Sequence, residues 1–206
     1  MRRVLLLGAV LTAFVLVGVA SAAKPAVVKI ALARPAVVYG SSVQLSGSVS
    51  NHQAGEFVMV LGRPYGTTTL SQVDMVTTTA KGAWSYMASP QIQTSYQARW
   101  DAVTSGIVTV KVRPKITLAL ESRTATRGTF SVQVEGNRRF TGKRVLIQRV
   151  TASGPTTVKS VKLAANSSAT FTIRLPSHGA RVRVVMSTSQ AAPGYIAGYS
   201  NVWRSS

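Results

Sequence analysis

The sequence predicts an all-β protein, two tandem β-sandwiches behind an N-terminal signal-peptide helix. Three observations predict it. Apolar and polar residues alternate over five to seven positions, in segments rich in Val, Thr and Ile between Gly, Ser, Asn and Pro clusters, which is the pattern of strands buried on one face. Helical periodicity is nearly absent after the first two dozen residues. An internal ruler also recurs: Val58 to Trp84 spans the same 26 positions as Val145 to Phe171. Gly55 and Gly142 are 87 apart, and so are Trp84 and Phe171. A shared ruler of this length means that one small domain occurs twice.

The N-terminus is read first and set aside. Met1-Arg2-Arg3 is a short basic start, Val4 to Val19 is apolar apart from Gly8, Thr12 and Gly18, and Ala20-Ser21-Ala22 is a small-x-small site. This is the layout of a secretory signal peptide, so residues 1–23 are expected to be removed, leaving a mature N-terminus at Ala23 or Lys24. The competing expectation is a retained anchor, because 16 residues lie near the short end of a membrane span. Residues 24–113 then form the first sandwich and 114–206 the second, with Arg113-Pro114 at the boundary.

In the first module Val28, Ile30 and Leu32 open the strand series. Tyr39-Gly40-Ser41-Ser42 is a turn, and Val43, Leu45, Gly47 and Val49 line the next strand with Gln44, Ser46 and Ser48 facing out. Val58 and Val60 mark the third strand, and Gly62-Arg63-Pro64-Tyr65-Gly66 reads as a loop. The Thr-rich stretch Val73 to Thr79 is polar enough for an edge. Ala80-Lys81-Gly82 turns the chain so that Trp84 and Tyr86 point inward, followed by Tyr96, Ala98 and Trp100, then Val108, Val110 and Val112. The second module repeats the order. Its series is Ile116, Leu118 and Leu120; Phe130, Val132 and Val134; Val145 and Ile147; the Val158 to Leu163 segment; Phe171, Ile173 and Leu175; and Val182, Val184 and Met186. Tyr195 to Trp203 is the last strand, interrupted at Gly198 by a bulge or a close backbone approach.

About seven short strands per module, with turn signals every eight to twelve residues, match an immunoglobulin-like sandwich. The motifs agree. Val38-Tyr39-Gly40-Ser41-Ser42-Val43-Gln44-Leu45-Ser46-Gly47 resembles the opening of bacterial immunoglobulin-like domains. The stretches Ala54-Gly55-Glu56, Thr79 to Tyr86 and Thr94 to Trp100 are similar to their later strands. The second module departs from the pattern, with Arg127-Gly128 in place of the Tyr-Gly turn and Phe171 in place of the Trp, and resembles a diverged copy. The resemblance implies an exported, non-catalytic spacer, adhesive module or carbohydrate-contacting module, and fold alone does not choose among these.

Composition narrows the chemistry. There is no cysteine, which excludes disulfide staples and thiolate metal sites. The two histidines, His52 and His178, sit in turn-like contexts, and the five acids are scattered. No Gly-x-Ser-x-Gly elbow or acid cluster appears, so no catalytic residue, metal site or cofactor is expected. The net charge is +19 and uneven. Residues 24–113 carry eight Lys/Arg against Glu56, Asp74 and Asp101, whereas 114–206 carry fourteen against Glu121 and Glu135. That asymmetry points to a polyanionic partner for the second half.

In that half Arg181 and Arg183 alternate with Val182 and Val184, and Arg144 precedes Val145, so all three face away from the core. The third and sixth strands of such a module are neighbours, which would join Arg144, Arg181 and Arg183 into one polyanion-binding face. Arg174 and Lys162 also face outward, on another group of strands. Tyr65, Tyr195 and Tyr199 are candidates for stacking on sugar rings, although Tyr195 and Tyr199 share a phase with Trp203 that would bury them. The expected function is an exported, non-enzymatic adhesion or structural module at the cell envelope or outside it, contacting an anionic cell-wall polymer or polysaccharide. The alternative is a carbohydrate-binding module without a catalytic domain. Intracellular nucleic acid is an unexpected partner for an exported chain.

Overall fold

The computed structural model describes residues 25–176 and 179–205; the signal segment expected over residues 1–23, and His178, lie outside the described residues. In the first half the strands are β1 (Ala31–Leu32), β2 (Ala36–Val38), β3 (Val43–Ser48), β4 (Phe57–Pro64), β5 (Ser71–Thr77), β6 (Ala83–Ala88), β7 (Thr94–Trp100), β8 (Val103–Thr104) and β9 (Val108–Arg113). They form a three-stranded sheet, β1-β3-β6, and a larger one, β2-β9-β7-β4-β5, with β8 on β7. The second half contains β10 (Lys115–Arg123), β11 (Arg127–Glu135), β12 (Arg144–Thr151), β13 (Gly154–Lys162), β14 (Ser168–Arg174) and β15 (Arg181–Met186). After these come a single helical turn, Thr188–Ala191, and the short strands β16 (Gly198–Tyr199) and β17 (Trp203–Arg204). Its sheets are β10-β11-β14 and β13-β12-β15-β16, with β17 also on β15. Each half is therefore a two-sheet sandwich of immunoglobulin-like strand order, and every pairing between these strands stays within one half.

Alternation decides which side chains enter the core. Along β4, Val58 and Val60 are buried while Phe57 is exposed; along β7, Tyr96, Ala98 and Trp100 are buried between more exposed neighbours. The polar strand β5 pairs only with β4 and is exposed along almost its whole length, as an edge strand should be. The Gly62–Pro64 segment departs from the expected loop and continues β4, with Pro64 as its last residue. A proline is tolerated at a strand end, where a missing N–H costs no internal ladder bond.

The 87-residue ruler has a backbone cause. Gly55 and Gly142, in the turns that enter β4 and β12, have φ of +89° and +76°. A left-handed turn residue is favoured as glycine because a Cβ would clash with the backbone. The ruler does not extend to the pairing register, however. Trp84 lies opposite Gly47, whereas Phe171 lies opposite Phe130, four positions from Val134, the residue that the ruler would match to Gly47. An even shift keeps each inward side chain inward, so both cores survive it.

The two cores fill the same space differently. In the first, the Trp84 indole covers Gly47, and a Cβ at Gly47 would sit 2.6 Å from the ring. In the second, Phe130 stacks on Phe171 with ring centroids 5.7 Å apart and meets Trp203 edge-on at 5.1 Å. Arg127-Gly128 forms no turn comparable to Tyr39-Gly40 but begins β11, the turn before it being closed by the Thr124 N–H on the Arg127 carbonyl at 2.9 Å.

The segment 191–200 ties the halves together. The Gln93 N–H donates to the Gly194 carbonyl at 3.0 Å, and the Ile196 N–H to the Val112 carbonyl at 2.9 Å. The Tyr195 hydroxyl donates to the Gln91 carbonyl at 2.6 Å and accepts from the Asn137 N–H at 2.6 Å. Gly198 makes the close approach expected for it, since a Cβ there would lie 2.9 Å from the Pro114 carbonyl oxygen. Buried side chains of both halves belong to one continuous apolar cluster.

Candidate anion-binding face

Strands β12 and β15 are paired antiparallel, Gln148 opposite Arg183 and Arg149 opposite Val182. Because side chains alternate along a strand, Arg144 and Gln148 share the outer face with Arg181 and Arg183, while Val145, Ile147, Val182 and Val184 are buried beneath. The three predicted arginines thus share one sheet face without forming one cluster. Gln148, opposite Arg183, is four positions from Arg144, about 13 Å along the strand at ~3.3 Å per residue.

Two of the three instead face another cation. Arg144 is directly opposite Lys162 on β13, so Lys162 belongs to this sheet and not to another group of strands, as the sequence suggested. Arg181 is directly opposite Arg204 on β17. Like charges facing each other across a ladder destabilise it, by roughly 1 kcal/mol or less at a solvated surface. Arg183 donates from Nε to Gln148 Oε1 at 2.9 Å, and its guanidinium carbon lies 5.5 Å from the Tyr199 ring centroid. Arg113, from the first half, reaches the same ring at 5.7 Å and donates to the Ala197 carbonyl.

No carboxylate offsets these charges locally in the sequence. Residues 136–206 contain no Asp or Glu, and Glu135, the last acid of the sequence, is ion-paired with Lys115 at 2.9 Å. The other sheet of this half also has a facing cation pair, Arg127 opposite Arg174, but this sheet carries the two acids of the half, Glu121, which accepts from Ser131 Oγ, and Glu135, which pairs with Lys115 at the far end of β11. Sequence reasoning missed Arg204 and Arg113. Arg204 follows Trp203 at the alternate position of the last strand, which was a usable signal; Arg113 acts across 84 positions of sequence, and no local pattern marks it.

The candidate sugar-stacking tyrosines separate. Tyr195 is buried and Tyr199 is half exposed beneath two guanidiniums, whereas Tyr65 is half exposed beside Gly194. Burial raises the Tyr195 phenol above its usual pKa, opposed by the hydrogen bond from Asn137. Burial, with the Tyr86 phenol nearby, pushes Tyr96 up to about 12. Next to Tyr195, Arg138 stacks over both Phe140 and Tyr195, at 5.2 and 5.9 Å. Arg138 and Arg139 line an open depression of about 620 Å³ with Tyr39, Gln133, Asn137 and Asn166. His52 lies in a turn with φ of +57°. Among the described residues no three His, Cys, Asp or Glu side chains are grouped to hold a metal ion, and no helix is long and apolar enough to cross a membrane.

No protein-family model matches the chain, and no curated protein matches it. Among solved structures it is similar to a tetra-tandem repeat from the extending region of a large adhesion protein, at 10% identity and a TM-score of 0.35, over 87% of this chain and 49% of that one. The chain therefore spans about half the length of that structure. It is also similar to two marsupial T cell receptor chains. These are 9% and 10% identical, with TM-scores of 0.34, over 89% and 87% of this chain and 100% of each receptor chain.

Proposed function

We propose that the chain is an exported, non-catalytic binding module, of adhesive or structural use at the cell envelope or outside it, that contacts anionic polymers through its second half. The observation that carries this reading is the β13-β12-β15-β17 face, where Arg144 opposes Lys162 and Arg181 opposes Arg204 in a stretch without an acid. Such an arrangement costs stability in the free protein and is relieved when phosphate or carboxylate groups lie along it. Affinity of this kind comes largely from counterion release, so it is weakly selective and falls with salt, with a logarithmic slope of about −0.7 to −0.9 per neutralised phosphate in nucleic acids.

The test is retention on a polyanion column across a salt gradient. The wild-type chain is expected to elute well after an Arg144/Arg181/Arg183→Gln triple variant. Equal elution would mean that these arginines form no binding face and that the charge serves solubility alone.

A second reading, a carbohydrate-binding module, is favoured by the depression lined by Tyr39, Gln133, Asn137, Asn166 and Arg139, because planar amides, guanidiniums and a phenol suit sugar hydroxyls. Selective binding of neutral sugars on a glycan array, insensitive to salt, would favour it over the first.

A further inference from the structure

The cations of the basic face are not equivalent. Arg144 with Lys162, and Arg181 with Arg204, are exposed side chains. Arg183 and Arg113 are partly buried and held. Tyr199 lies opposite Val185, so Arg183, two positions away on β15, is its diagonal neighbour and packs over its ring. The Gln148 carboxamide fixes the Arg183 guanidinium through Nε, at 2.9 Å. Arg113 closes the other half of the arrangement: it is the last residue of β9, is anchored on the Ala197 carbonyl, and lies over the same ring. Tyr199 itself remains half exposed.

Two guanidiniums held on one aromatic ring with no carboxylate partner are an incomplete electrostatic unit. A guanidinium carries five N–H donors in a rigid plane, and stacking on a ring leaves in-plane donors available for a bidentate oxyanion contact. Here one hydrogen bond to the protein is made by each group, so further donors remain. Because these side chains are already positioned, less rotamer freedom is lost on binding than at Arg144 or Arg181.

We propose that Arg113 and Arg183, both held on the Tyr199 ring, form an anion-binding site shared between the two halves, which takes phosphate or carboxylate groups of an anionic polymer. This rests on the polyanion reading above and places its strongest contact at the joint. It also implies that the second half alone holds only part of the site, because Arg113 belongs to the first.

The test uses the full mature chain at low salt, with polyphosphate and polygalacturonate as separate probes. Arg113→Gln and Arg183→Gln are each expected to weaken binding about tenfold, as loss of a charge-assisted contact should. The double variant should lose more than either single variant, because each guanidinium takes its own share of the polymer's oxyanions. Arg113→Lys, which keeps the charge and the packed stem, should recover only part of the loss, since a point charge cannot replace the fork. Arg34→Gln, an exposed arginine of the first half, should change affinity by less than about twofold. The polymer that is bound more tightly identifies phosphate or carboxylate as the group taken. If Arg113→Gln behaves like Arg34→Gln while the Arg144/Arg181/Arg183→Gln variant still loses binding, the shared site is wrong and the basic face stands. If the wild-type chain binds neither polymer, both fall.

Discussion

Trp84→Ala is expected to destabilise the protein by about 3–5 kcal/mol, read as a lower denaturant midpoint in equilibrium unfolding. Trp84 is 3% exposed and its ring lies directly over Gly47. Removing the indole therefore leaves a void facing a residue with no side chain to move into it. The Trp84→Phe change should cost much less, about 1 kcal/mol. The indole N–H is buried without a hydrogen-bond partner among the described residues, and burying such a donor costs roughly 1–3 kcal/mol. Phenylalanine removes that penalty while keeping most of the apolar area, and the second half already carries Phe171 on the corresponding strand. A loss below about 1 kcal/mol for Trp84→Ala would contradict the packing described.

The Tyr195→Ala variant should be comparably damaging, about 3–5 kcal/mol, with a different signature. Tyr195 is 2% exposed, packs edge-on against Phe140 with centroids 5.5 Å apart, and bridges Gln91 to Asn137 through its hydroxyl. Its loss should uncouple the halves, so that the single calorimetric transition expected of a shared core divides into two. Tyr195→Phe isolates the hydroxyl and should cost about 1–3 kcal/mol, because the Asn137 N–H and the Gln91 carbonyl lose their common partner. Two transitions in the wild-type chain, unchanged by Tyr195→Ala, would mean that the halves are joined only as beads on a string.

Much of this fold was legible because the signals that specify it are local. Val58 with Val60, and Val182 with Val184, alternate with exposed residues at the strand period, and Gly55 and Gly142 mark turns that require left-handed backbone. The polar sequence of β5 announced an edge. The four-position register difference at Phe130 was not legible, because an even shift preserves the in-out pattern that alternation reads. Nor was the division of the C-terminal segment, in which Tyr195 turns into the joint and Tyr199 out toward Arg113 and Arg183. Both tyrosines share the phase of Trp203, and only the packing of the other half against this segment separates them. For the candidate site, the sequence placed Arg144, Arg181 and Arg183 on an outward face. The pairings with Lys162 and Arg204 and the contribution of Arg113 depend on strand neighbours and on the joint between halves, which no local pattern encodes.

An anionic polymer bound by this protein should lie along the β13-β12-β15-β17 face. The most direct measurement is a nuclear magnetic resonance titration of the arginine Nε–Hε signals of the mature chain with polyphosphate, followed residue by residue. Saturable shifts are expected at Arg113, Arg144, Arg181, Arg183 and Arg204, largest at Arg113 and Arg183, with Arg34, Arg63 and Arg99 of the first half nearly unmoved. Small, uniform, non-saturating shifts at all arginines, or shifts centred on the first half, would contradict this placement.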